Sequence, residues 1–204
     1  MRDPAVIELA RGGRSRRRFL LLGGVVLAGA LTRIGRPAAA QAPSPEQDEQ
    51  LLNFALGLEY LQAAFYREAE SQDALTGELA AFARVVGEQE RRHVERLQEL
   101  LGSAARPEPE FSLEDATASE QAFLEAAVTL EDTGVSAYIG QGANLTIEGV
   151  EAVVPLVSVE ARHAAWILDI ADRDPAPAAA DPAASVAGVQ EALERAGLSL
   201  PGER

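Results

Sequence analysis

The chain has 204 residues, with 18 basic side chains, all Arg, against 32 acidic ones, two histidines and no cysteine. Without Cys there is no disulfide, thiolate nucleophile, Cys-ligated zinc or iron–sulfur cluster. A formal charge of −14 speaks against a nucleic-acid partner, because phosphate binding needs a basic patch.

That charge is unevenly placed: residues 1–40 carry eight Arg, one Asp and one Glu, whereas residues 41–204 carry ten Arg and 30 acids. Residues 1–40 have the layout of a secretory signal. Arg16, Arg17 and Arg18 form a basic head, an apolar run extends from Phe19 to Leu31, and Ala38-Ala39-Ala40 supplies the small residues of a cleavage site. The run is too short for a comfortable membrane span, which needs roughly 20 apolar residues. Paired Arg followed by Phe19-Leu20 resembles the bacterial twin-arginine export signal. Cleavage is expected after Ala40, leaving a mature chain without a stable membrane span in the periplasm or another extracytoplasmic site, the cell wall included. An uncleaved anchor helix is the alternative.

Beyond the signal the spacing predicts four helices and a tail. Ser44 as N-cap, Pro45 at the first helical position and Gln47 at N3 open the first helix. Leu52, Ala55, Glu59, Gln62 and Tyr66 then recur at helical spacing to about Ser71. Thr76-Gly77 leads into the second, where Leu79, Phe82, Val86, Glu90, His93, Leu97 and Leu100 trace one seam in steps of three and four until Gly102. After a Pro-containing stretch to about Ala118, the third helix opens near Ser119, with Phe123, Ala127, Glu131, Gly134 and Tyr138 inward and Gly140 and Gly142 closing it. The fourth is expected from about Thr146 to Ala171, with Val153, Leu156, Glu160, His163, Ile167 and Ile170 inward and a kink at Pro155. A Pro- and Ala-rich linker and a short amphipathic helix near Ser185–Ala196 end the chain.

Short first and third connections make two antiparallel hairpins, and a connection of about 17 residues between the second and third helices is long enough to cross the length of a bundle. The expected fold class is all-α, with a signal over 1–40, a four-helix bundle over 41–174 and the linker and tail helix over 175–204.

The seams carry acids and histidines where leucines belong. Glu90-Arg91-Arg92-His93 and Glu160-Ala161-Arg162-His163 each place Glu and His three apart, on one helix face. With 23 Glu among 204 residues, both histidines meeting that condition is a roughly one-in-eighty coincidence. Glu59 and Glu90 stand about equally far from the first turn, and Glu131 and Glu160 from the third, so at 1.5 Å per residue each pair meets near one level. Six ionisable groups there would be costly to bury unpaired, whereas converging carboxylates and imidazoles can coordinate cations. The bland alternative is helix ion pairing with both His as satisfied core residues. A weak internal repeat runs through the chain: Glu59 and Tyr66 are seven apart, as are Glu131 and Tyr138, and each pair precedes a Glu-x-x-His helix. Tyr66, Tyr138 and Gln62 are read as packing residues, with a supporting or redox part at the site as the open alternative for the tyrosines.

One Glu, then Glu-x-x-His, twice over, resembles the di-iron carboxylate proteins of the ferritin-like superfamily. The match spans about Gln47 to Asp172. With the export signal and Pro-rich tail the chain is most similar to exported bacterial ferritin-like domain proteins, some of them labelled stress- or desiccation-related. The resemblance implies a ferritin-like four-helix bundle with a short C-terminal helix, and two metal ions, Fe first and Mn second, held by Glu59, Glu90, His93, Glu131, Glu160 and His163. It implies redox activity on ferrous iron, O₂ or peroxide, as a di-iron oxidase or peroxide-consuming oxidoreductase. A rubrerythrin-type peroxidase is disfavoured by the missing Cys, and a DNA-protecting mini-ferritin by the acidic mature chain. A storage ferritin, a homo-oligomer and a manganese catalase stay compatible. The alternative from another class is a non-catalytic structural or binding module on the same fold.

Overall fold

The computed structural model describes residues 42–200; the expected export signal lies outside them. These residues form six helices and no strand: α1 (Pro45–Ser71), α2 (Gly77–Leu101), the single turn α3 (Glu114–Thr117), α4 (Glu120–Gly142), α5 (Ile147–Ile170) and α6 (Val186–Arg195). The chain is all-α, as its periodicity requires.

Helix starts follow local chemistry. Ser44 Oγ accepts from Gln47 N–H at 3.3 Å, Ser119 Oγ from Ala122 N–H at 3.2 Å, Thr146 Oγ1 from Gly149 N–H and Ser185 Oγ from Gly188 N–H, both at 3.1 Å. Each satisfies an N–H that the helix leaves unpaired, worth about 1 kcal/mol. Gly102, at φ +54°, stops α2 in a conformation that L side chains rarely adopt.

Two apolar clusters show how the helices run. One gathers Phe65 and Tyr66 from late α1, Phe82 and Val86 from early α2, Phe123 and Ala127 from early α4, and Ile167 from late α5. The other gathers Leu56 from early α1, Leu97 from late α2, Tyr138 from late α4, and Val153 and Leu156 from early α5. The α2–α4 connection therefore leaves one end of the bundle and arrives at the other. Along it Ala105 packs on the second cluster, Phe111 on both and Leu113 on the first. Asn53 pins its start, donating to Ala104 O at 3.0 Å and accepting from Arg106 N–H at 2.9 Å. The single turn α3 within it is not foretold by any periodicity.

One expectation needs correction. α4 ends at Gly142 as expected, with Ala143 as its C-cap, but Gly140 lies inside the helix and does not help to close it. Gly140 instead lets the tail approach: a Cβ there would lie 1.8 Å from Ala184 O. Ala184 donates its N–H to Ser136 O at 2.9 Å and accepts from Gln141 Nε2 at 3.1 Å. Behind this junction Val189, Leu193 and Leu198 enter the first core cluster. Pro155 lies inside the 24-residue α5, where its place in the sequence puts it. It is exposed, so the Glu151 carbonyl that loses its partner faces the solvated side of the helix. Among the described residues no helix is long and apolar enough to cross a membrane.

Candidate metal centre

Between the two apolar clusters lies a polar band. All six residues singled out by their spacing are buried there, with Glu90, Glu131 and Glu160 fully inaccessible. α1 supplies Glu59, α2 Glu90 and His93, α4 Glu131, and α5 Glu160 and His163. His93 Nδ1 lies 2.9 Å from Glu160 Oε1, 3.2 Å from Glu90 Oε2 and 3.3 Å from Glu59 Oε2. His163 Nδ1 lies 2.9 Å from Glu90 Oε1 and 3.4 Å from Glu131 Oε2. The two rings are 6.0 Å apart, centroid to centroid.

The six side chains fall into two overlapping sets. Glu59, Glu90, His93 and Glu160 form one, and Glu90, Glu131, Glu160 and His163 the other; in each, one ligand atom per residue lies within 4.8 Å of the rest. Glu90 and Glu160 belong to both, where bridging carboxylates would stand. Both Glu90 oxygens, Glu131 Oε2, Glu160 Oε1 and His163 Nδ1 are buried without a hydrogen-bond partner. An orphaned buried polar atom costs about 1–3 kcal/mol, more if charged, so five side by side call for cations. Two divalent ions would neutralise four carboxylates beside neutral imidazoles, and mixed oxygen and nitrogen donors suit Fe or Mn. The residues fit the group.

The surroundings amend the sequence reading. Tyr66 and Tyr138 do more than pack: Tyr66 donates its hydroxyl to Glu131 Oε1, and Tyr138 donates to Glu59 Oε1 at 2.5 Å. Gln62 is likewise no ordinary packing residue, with its amide nitrogen 3.3 Å from Glu131 Oε1 and 3.4 Å from Glu160 Oε2. Gln89 went unnoticed because it lies off the α2 seam in a charged run. Its Oε1 accepts from His163 Nε2 at 2.7 Å, which leaves Nδ1 facing the carboxylates. No periodicity would have found it. The charged run itself is solvated as expected, with Glu88 paired to Arg91 and Arg92.

Electrostatics record the crowding. Burial, then the neighbouring Glu90, raises Glu59 to about 7; burial, then Glu59, does the same for Glu160. Burial works against charge on His93, but the carboxylates of Glu160, Glu59 and Glu90 around its Nδ1 outweigh it and hold the ring at about 12. His163 is likewise raised to about 10 by Glu131 and Glu90, against its own burial. Burial and the adjacent carboxylates push both tyrosine hydroxyls well above their usual range. Without metal, protons on the two rings do part of the neutralising.

A family model described as ferritin-like domain matches residues 47–172. No curated protein matches the chain.

Proposed function

The chain belongs to the ferritin-like domain family, and from that premise we propose that it is an exported protein holding a dinuclear Fe or Mn centre with redox activity on ferrous iron, O₂ or peroxide. One observation carries the reading: four carboxylates and two imidazoles converge in a buried band, and five of their polar atoms have no hydrogen-bond partner. Glu59 and His93 would hold one ion, Glu131 and His163 the other, with Glu90 and Glu160 between them. Two such ions, when bound, would supply two electrons to a small oxidant.

The chain's own residues do the rest. Tyr138 and Tyr66 orient Glu59 and Glu131 through their hydroxyls. Gln89 fixes the ring nitrogen that His163 turns inward. The two apolar clusters keep bulk water off the band, which strengthens every charge interaction within it. Export rests on the basic head and apolar run of residues 16–31.

The test is metal quantification with optical spectroscopy on protein recovered from its native compartment. About two ions per chain are expected. Glu90→Ala and Glu160→Ala should lose them together with ferrous oxidation or peroxide consumption. Far fewer than two ions in the natural protein defeats the reading. Loaded protein that turns over neither substrate, with variants losing only thermal stability, leaves a structural module. Peroxide disproportionation with Mn and not with Fe assigns a catalase.

A further inference from the structure

The internal repeat makes the two halves of the centre nearly equivalent. Glu59, Tyr66, Glu90 and His93 correspond to Glu131, Tyr138, Glu160 and His163, and the two tyrosines donate reciprocally across the bundle. The equivalence fails in two places. Gln62 stands three residues after Glu59, and its counterpart after Glu131 is Gly134. A Cβ on Gly134 would lie 2.9 Å from Glu160 Oε2 and 3.5 Å from Gln62 Nε2, so the missing side chain leaves the space in which the Gln62 amide meets Glu131 and Glu160. Gln89 precedes Glu90, and its counterpart before Glu160 is Val159, which has no side-chain acceptor.

Both departures act on one side. His163 is pinned through Nε2 and Glu131 is braced by Gln62 as well as Tyr66. His93 is held only by the carboxylates that face its Nδ1; among the described residues nothing bonds its Nε2. Its side chain is also the more exposed, 9% against 4% for His163.

We infer that the two metal positions are unequal: the Glu131–His163 position fills first and holds its ion more tightly, and the Glu59–His93 position is the exchangeable one, with Gln89 and Gln62 as the positioning residues that set the order. This rests on the dinuclear reading above. A ring already bonded through Nε2 presents Nδ1 in the right tautomer and direction and is a stronger donor, an effect worth about 10- to 100-fold in metal affinity. The unpinned ring must be ordered by the ion itself.

The test titrates Mn(II) into the metal-free, full exported chain, followed by calorimetry and electron paramagnetic resonance. Wild type should show two binding events separated by about 10- to 100-fold, an isolated-ion spectrum at one equivalent and an exchange-coupled one at two. His93→Ala should keep the tight event and His163→Ala should lose it. Gln89→Leu should close the gap, and Gln89→Glu, which keeps an acceptor, should restore it. Two equal events in wild type, loss of the tight event in His93→Ala and not in His163→Ala, or an undiminished gap in Gln89→Leu each overturns the inference. Wild type that binds neither Mn(II) nor Fe(II) defeats the metal-centre reading itself, a result distinct from equal binding.

Discussion

Loading the centre should expel protons, and the number is set by the crowding of its ligands. A metal-bound imidazole is neutral at its ligating nitrogen and a metal-bound carboxylate is ionised. In the metal-free protein His93 and His163 are raised to about 12 and about 10, so both are charged at pH 7. Glu59 and Glu160, raised to about 7, are each roughly half protonated there. Filling both positions at pH 7 therefore releases about three protons: two from the rings and one shared between the two carboxyls. Near pH 6 the release approaches about four, and near pH 8 it falls toward about two, so apparent affinity climbs with pH and climbs less steeply above neutrality. Calorimetry in buffers of different ionisation enthalpy counts these protons directly. A release of about one proton or fewer at pH 7 would refute the reasoning, because it would mean that the rings are neutral before metal arrives. The metal-free protein should trend the other way. The raised carboxyls contribute stability that is present below about 4.5 and lost as pH rises through about 7, and the raised rings contribute stability that is full below about 6.5 and lost steadily as pH rises toward 10 and 12. Its urea midpoint should fall from pH 5 to pH 8 while metal affinity rises.

The same crowding predicts that Glu59→Gln stabilises the metal-free protein at pH 8. Relieving a carboxyl raised from 4.5 to about 7 is worth roughly 3 kcal/mol at most; urea unfolding without metal should show the gain and metal titration a weakened exchangeable position, and an unchanged or lower midpoint would count against it. Gly140→Ala should detach the tail, because its new Cβ would fall 1.8 Å from Ala184 O. Hydrogen exchange should then quicken at Ala184 and Val189 while amides around Glu90 and Glu160 stay protected, and unchanged exchange at Ala184 would show that the tail is not held there.

Much of this was legible in the residues alone. Ser44, Ser119, Thr146 and Ser185 announce helix starts through a local bond that needs no distant partner. The candidate ligands are legible for a related reason. A Glu or His on a seam of Leu, Phe and Val is an anomaly visible from spacing, and Glu-x-x-His fixes two side chains on one face before any packing is known. Gly140 was misread because a Gly near a helix end ordinarily marks the stop, whereas here it answers to backbone arriving from 44 residues away.

The sequence by itself determined the helices, the length of the crossover and the six polar side chains that must face inward, because helical period and capping are local properties. Only the tertiary structure decided how those side chains are supported. Tyr66 serves Glu131 and Tyr138 serves Glu59 across the bundle, Gln62 fills the space over Gly134, and Gln89 reaches His163 from the neighbouring helix. Such pairings depend on the rotation and depth of one helix against another, and chain spacing does not encode either one.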